Sequence, residues 1–210
     1  MAIKSQQTLL RVSSAAGSAK TITGISKANP GVVTSTSHGL ANGDIVVITS
    51  VSGMTEVNNR AFVIANVATN TFELKGVDTS NYTTWTSGGS ATPQTMVTVS
   101  EVNNVSGFDG QASEIDTTNL RSTAKEYLIG LQDFGNVSLE LFLVSDTGQS
   151  RLRALKASAS AGTFAITLSD STVAAFQAYV KSFTFDLGGP DDTVKGNVSL
   201  RVTGEPAWFA

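Results

Sequence analysis

The chain has 210 residues, 40% of them hydrophobic, with a charged fraction of 15% and a formal net charge of -3. These values exclude a disordered chain, which pairs low hydrophobicity with high net charge, and a stable counterion-releasing grip on nucleic acid, which needs clustered Lys and Arg. With no Cys and a single His, disulfides, thiolate metal sites, thiol nucleophiles and sites needing two imidazoles are excluded as well, so no cofactor, no metal and no catalysis is expected.

The opening MAIKSQQTLL lacks the apolar middle and cleavage site of a secretory signal, and the expectation is synthesis in the cytoplasm without processing. Ser13 to Ser18 is Ser/Gly-rich and reads as a linker, as does TSGGSATP at 86–93. Between them, Lys20, Lys27, Arg60 and Lys75 balance Asp44, Glu56, Glu73 and Asp78, whereas residues 93–210 hold eight basic against thirteen acidic side chains. The expected organisation is a discontinuous β domain, 1–19 and 93–210, with an inserted small β module at 20–92.

Within the insertion, DIVVITS (44–50) follows the turn pair Asn42-Gly43, and AFVIANV (61–67) and TFELKGV (71–77) complete a small meander. His38, in SHGLANGD, sits near Asp44 as a hydrolase base could, but a lone imidazole among glycines reads far better as a packed or hydrogen-bonded loop residue. Further on, MVTVSEV (96–102) and NVSLELFLV (136–144) read as strands. Asp146 with Gln149 three residues on, then Leu152, Leu155 and Ala159, predicts a capped amphipathic helix stopped by Gly162. TFAITLS (163–169), TVAAFQAYVKSFTFDL (172–187) and VKGNVSLRVTG (194–204), joined by Ser169-Asp170-Ser171 and by Gly188 to Asp192, predict an antiparallel three-strand unit. The carboxylate pairs Glu114/Asp116 and Asp191/Asp192 lack the pattern of a calcium loop and read as solvated charges.

The stretch DTTNLRSTAKEYLIGLQDFG (116–135) fits neither helix nor strand. It carries Leu120, Tyr127, Leu128, Ile129, Leu131 and Phe134 beside Arg121, Lys125, Glu126 and Asp133. A loop this long and this apolar needs cover, either as a flap on its own domain or from a neighbouring subunit. Trp208 and Phe209 near the chain end give the same hint, since aromatics anchor interfaces.

The succession VSEVNNVSGFDGQASEIDTTNLRSTAKEYLIGLQDFGNVSLELFL (99–143), the helix near Leu152 and the closing strand ending in GEP resemble the major tail tube protein of long-tailed bacteriophages. The segment 20–92 looks like a small β module recurring in phage virion proteins, with a profile related to a half-domain of ubiquitin-activating enzymes; without Cys this implies a fold and no ubiquitin chemistry. The resemblance implies an all-β fold with one α-helix: a β-barrel or sandwich with a packed helix, plus the inserted module. It implies a virion protein that assembles as stacked hexameric rings into the tail tube, the conduit for genome ejection.

Its implied partners are further copies of itself, tape-measure, tail-tip and tail terminator proteins, genomic DNA in transient passage, and the host cell surface through 20–92. The implied contacts between subunits and rings are Leu120, Arg121, Tyr127, Leu128, Leu131, Phe134, Trp208 and Phe209; Glu101, Glu140 and Asp186 are candidates for the channel lining. A glycan-binding β-sandwich adhesin, using Tyr82 and Trp85, and the tube protein of a contractile injection system are the competing readings.

Overall fold

The structure is a computed structural model and describes residues 5–208. Its strands in chain order are β1 (Leu9–Ala16), β2 (Lys20–Thr21), β3 (Gly24–Ile25), β4 (Val32–Thr34), β5 (Ile45–Ser52), β6 (Arg60–Ala65), β7 (Thr71–Leu74) and β8 (Ser87–Thr98). They continue with β9 (Val102–Gly107), β10 (Ala112–Asp116), β11 (Tyr127–Gln132), β12 (Asn136–Phe142), β13 (Ala161–Thr167), β14 (Val173–Asp186) and β15 (Lys195–Ala207). One helix, α1, spans Thr147–Ser158. The all-β architecture with a single packed helix is the one read from the sequence.

Period-two patterning places most strands. In β12, Val137, Leu139 and Leu141 are buried while Ser138 and Glu140 face out. Thirteen strands form one antiparallel sheet in the order β3-β4-β7-β6-β5-β8-β1-β13-β14-β15-β12-β9, with β2 also paired to β8. The meander β5–β6–β7 and the unit β13–β14–β15 pair as the sequence predicts.

Neither Ser/Gly-rich stretch is a linker. Ser13 to Ala16 belong to β1, and residues 87–93 are the first half of β8, paired with β5 before 94–98 pair with β1. β8 therefore runs unbroken from one half of the sheet into the other. Glycine is required there because Gly89 has φ 107 and a Cβ on it would meet Val51 and Ile22.

Three clusters fill the interior. One, under α1, gathers Val12, Leu139, Leu152, Phe164, Phe176 and Leu200; a second gathers Ile48, Phe62, Ile64, Phe72 and Leu74. Ile45, Ala61 and Val63 meet Ala165 and Ala175 at the seam between them. β6 lies close to β14 and β15 across this seam, where Ala61 and Ala175 are small.

The helix begins where expected: the Asp146 carboxylate accepts the Gln149 amide at 2.6 Å. Leu152 and Leu155 are buried, as their spacing requires. It ends earlier than expected, at Ala159 in the left-handed conformation with φ 49, and not at Gly162. Gly162 lies in β13 beneath the helix, where a Cβ would stand 2.5 Å from Leu155 Cδ1; its glycine serves packing and not termination.

The stretch 116–135 also departs from expectation. Its residues 127–132 are β11, which pairs antiparallel with β10 just before the stretch to make a β-ribbon closed by the loop 117–126, with Ile115 opposite Leu128 and Asp116 opposite Tyr127. Its strand character escapes sequence reading because neither face of the ribbon is covered, so no apolar/polar alternation develops.

Candidate assembly surface

β9 and β12 are partners, with Gly107 opposite Val137, and the chain passes from one to the other through the ribbon. The ribbon thus prolongs the β9–β12 hairpin past the end of the sheet as an arm. Its root is organised. Asp109 Oδ1 accepts the Asn136 amide at 2.8 Å, Asp133 Oδ1 accepts the Gly135 amide at 2.8 Å, and Asp133 Oδ2 pairs with Arg201 of β15 at 2.6 Å. The Gly135 amide, and after it the Arg201 guanidinium, holds the Asp133 carboxyl below the ordinary carboxylate value.

The arm's apolar side chains are bare. Leu120 is fully exposed, Leu131 is 90% exposed, Ile129 69% and Leu128 59%, with Ile115 and Tyr127 about half exposed. Its end is nevertheless ordered: Thr117 donates its amide to the Glu126 carbonyl at 2.9 Å, Glu126 donates to Thr118 Oγ1, and Ser122 Oγ donates to Glu126 Oε2. A braced ribbon holding apolar side chains in water is a preformed apolar surface.

Leu120, Arg121, Tyr127, Leu128 and Leu131 share this arm and are exposed. Phe134, at its root, instead packs against the protomer's own core. Trp208 is about half exposed and stands edge-on to Phe108, ring centroids 4.8 Å apart. Phe209 lies outside the described residues.

Glu140 and Asp186 share the outward face of β9–β12–β15–β14. Across it runs a row of Ser106, Ser138, Ser199 and Ser182, and beside it a row of Asn104, Glu140, Asn197 and Thr184. Asp186 stands opposite Lys195. This face is therefore rich in hydroxyls and amides and close to neutral, although its half of the sequence is acidic. Glu101 sits in the β8–β9 turn with φ 58, and its carbonyl accepts the Phe142 amide. The serine row escaped sequence reading because cross-strand register, which aligns four serines far apart in sequence, is not visible before strands are paired.

In the first half of the chain the residues with chemical potential are occupied structurally. His38 is buried; its Nδ1 accepts the Leu40 amide at 3.1 Å and its ring stands edge-on to Phe72. Arg60, 6% exposed, donates to the Glu205 and Glu56 carbonyls and to Tyr82 Oη, pairs with the Glu205 carboxylate at 2.9 Å, and lies over the Phe62 ring. Trp85 packs on the same cluster and donates Nε1–H to the Gly88 carbonyl. Tyr82 and Trp85 are thus partly buried supports and not an open sugar-stacking platform.

Residues 75–175 match the family model "Phage tail tube, TTP, lambda-like", and residues 28–95 match that of the ubiquitin-activating enzyme E1 FCCH domain. The two overlap over 75–95, which includes the portion of β8 shared by both halves of the sheet. No curated protein matches the chain.

Among solved structures, the chain is similar to the tail of an empty GTA particle refined with C6 helical symmetry, at 15% identity, 55% of this chain, 87% of that one and a TM-score of 0.48. It is similar to the virion of a native gene transfer agent at 15% identity, 55% and 89% coverage and a TM-score of 0.48. A third similarity is to the six-fold symmetrised baseplate of the anti-feeding prophage, at 10% identity, 80% and 93% coverage and a TM-score of 0.42. The lambda-like match contains β9, the whole arm, β12 and α1, so over residues 75–175, just under half of its length, the chain is similar to the phage tail tube family.

Proposed function

We propose that the protein is the repeating, non-enzymatic subunit of a tail tube: copies join as hexameric rings, rings stack, and the channel conducts the genome into the host cell. The observation that carries this reading is the arm, whose Leu120, Leu128, Ile129 and Leu131 have no cover among the described residues. Burying four such side chains is worth on the order of 6–12 kcal/mol gross. Association costs roughly 4–15 kcal/mol in lost freedom, so a single arm binds weakly and a ring of arms engaging together binds well.

The outward face of β9–β12–β15–β14 suits a channel lining. DNA carries about one charge per 1.7 Å, and a basic wall would hold it through many phosphate contacts. Rows of Ser, Asn and Thr with Asp186 opposite Lys195 offer little such grip. Closing strand edges such as that of β9 against neighbouring copies would also remove a template for aggregation. In this reading 20–92 forms a module on the outer wall, held in fixed orientation by Arg60 and the seam of Ala61, Ala165 and Ala175.

Electron microscopy of the purified protein over rising concentration tests the proposal. Rings and tubes with an open channel are expected; a protein that stays monomeric at every concentration overturns it.

A further inference from the structure

The seam between the two halves of the sheet is open to solvent in places. Two hollows lie along it and share Gln94, on the part of β8 that passes from β5 to β1. Clefts between packed units are favoured places for ligand sites. The electrostatics of the two hollows differ. One holds Arg11 together with Asp44, so its cation has an anion in the same hollow. The other, a cleft of about 350 Å³, holds Arg151 and no carboxylate.

Arg151 is fixed in place. It lies on the second turn of α1, and its Nε donates to the Ser13 carbonyl at 2.8 Å, at the bulge that interrupts β1 between Ser13 and Ala15. That bond orients the guanidinium plane and leaves both Nη groups without a hydrogen-bond or ion-pair partner among the described residues. Thr92, Thr163 and Gln177 stand in the same wall. Gln177 is directly across from Thr163, and its amide makes no side-chain hydrogen bond among the described residues. Val47 and Ala161 supply an apolar part of the wall.

An oriented fork of N–H donors beside neutral amides and hydroxyls, with no competing anion, matches the two oxygens of a carboxylate. A phosphate dianion would bring more charge than this single cation balances. We propose that the cleft binds a carboxylate: Arg151 takes its two oxygens, Gln177 adds an N–H donor, and Val47 and Ala161 cover the adjoining methylenes. The carboxylate belongs to a short aliphatic acid or to an Asp or Glu side chain of another copy, and only the second source rests on the tube reading.

Glutarate is the probe, and glutaramide, with the same carbon chain and no charge, is the control. Below the assembly concentration and at fixed ionic strength, glutarate should raise the melting temperature saturably, as a ligand of the native state does, and glutaramide should not. Arg151→Gln should weaken the response about tenfold or more, the scale of a charge-assisted hydrogen bond. Gln177→Ala, whose side chain has no bond to lose among the described residues, should weaken it several-fold. Equal responses to the acid and the diamide, or a glutarate response unchanged in both variants, overturn the site.

Assembly separates the two sources. Tubes suppressed by glutarate at the concentration that saturates the cleft assign the carboxylate to another copy; tubes unaffected by it assign a free acid. Failure of the unmodified protein to form tubes overturns the tube reading and the second source with it, while the melting-temperature series decides the free acid on its own.

Discussion

Replacing Gln149 with Leu removes the most connected buried polar side chain of the tube half. Gln149 is 0% exposed. Its Nε2 donates to the Ser100 carbonyl at 3.1 Å and to the Phe142 carbonyl at 2.8 Å, and its Oε1 accepts the Val144 amide at 3.1 Å. One amide thus ties the β8–β9 turn, the end of β12 and α1 together. Leu keeps most of the volume but orphans three backbone groups, each worth about 1 kcal/mol or more, so a loss of about 3 kcal/mol is expected. For a chain of this size that lowers the melting temperature by about 6–12 °C. The assay is urea unfolding below the assembly concentration, with the slope unchanged and the midpoint reduced. Gln149→Glu should lose at least as much at neutral pH, because its carboxylate would meet two carbonyl oxygens. A Leu variant within about 0.5 kcal/mol of the parent, the range of ordinary surface substitutions, would refute the claim that this bracket holds the helix to the sheet.

Burial alone would raise the Asp146 carboxyl, but hydrogen bonds from Ser100 and Gln149 and the charge of Arg153 outweigh it and hold the group below its ordinary 3.8. Its contribution is therefore complete above pH 3.8 and fades as pH falls through the lower folded value, so Asp146→Asn should flatten the acid limb of a stability-against-pH profile. Gly148→Ala places a methyl on the backbone of Thr98 and Val99 and should destabilise by about 1–3 kcal/mol, read by chemical denaturation. Arg60→Ala leaves the Glu205 carboxylate and two carbonyls without their cation; the amides of Glu205 and Ala207 should exchange faster by hydrogen-deuterium exchange, and Arg60→Lys should restore only part of the protection.

Sequence legibility followed the kind of information each element needs. β13, β14 and β15 carry alternation and turn chemistry locally, and their pairing was readable. The start of α1 was readable because Asp146 and Gln149 form a recognisable cap. The same pattern misleads about Gln149 itself, since a capping residue is expected to turn back to the helix end and this one is turned into the core. The stretch 86–93 reads as a linker because Gly and Ser have low strand propensity, and β5 and β2 supply the pairing that composition does not show. That Leu120, Tyr127, Leu128 and Leu131 stand uncovered in the protomer was legible from an excess of apolar side chains with nothing local to cover them. Phe134 joined them on the same argument, and only the packing at the arm's root separates it. The serine row depends on cross-strand register, which a linear pattern does not carry.

The central claim is that another copy covers the arm. Leu128→Ser/Leu131→Ser tests it most directly, because both side chains are exposed in the protomer and their loss should leave the unfolding midpoint unchanged. Electron microscopy should then show no tubes at concentrations where the parent forms them, from a protein that is still folded. Tubes as abundant as the parent's would contradict the account.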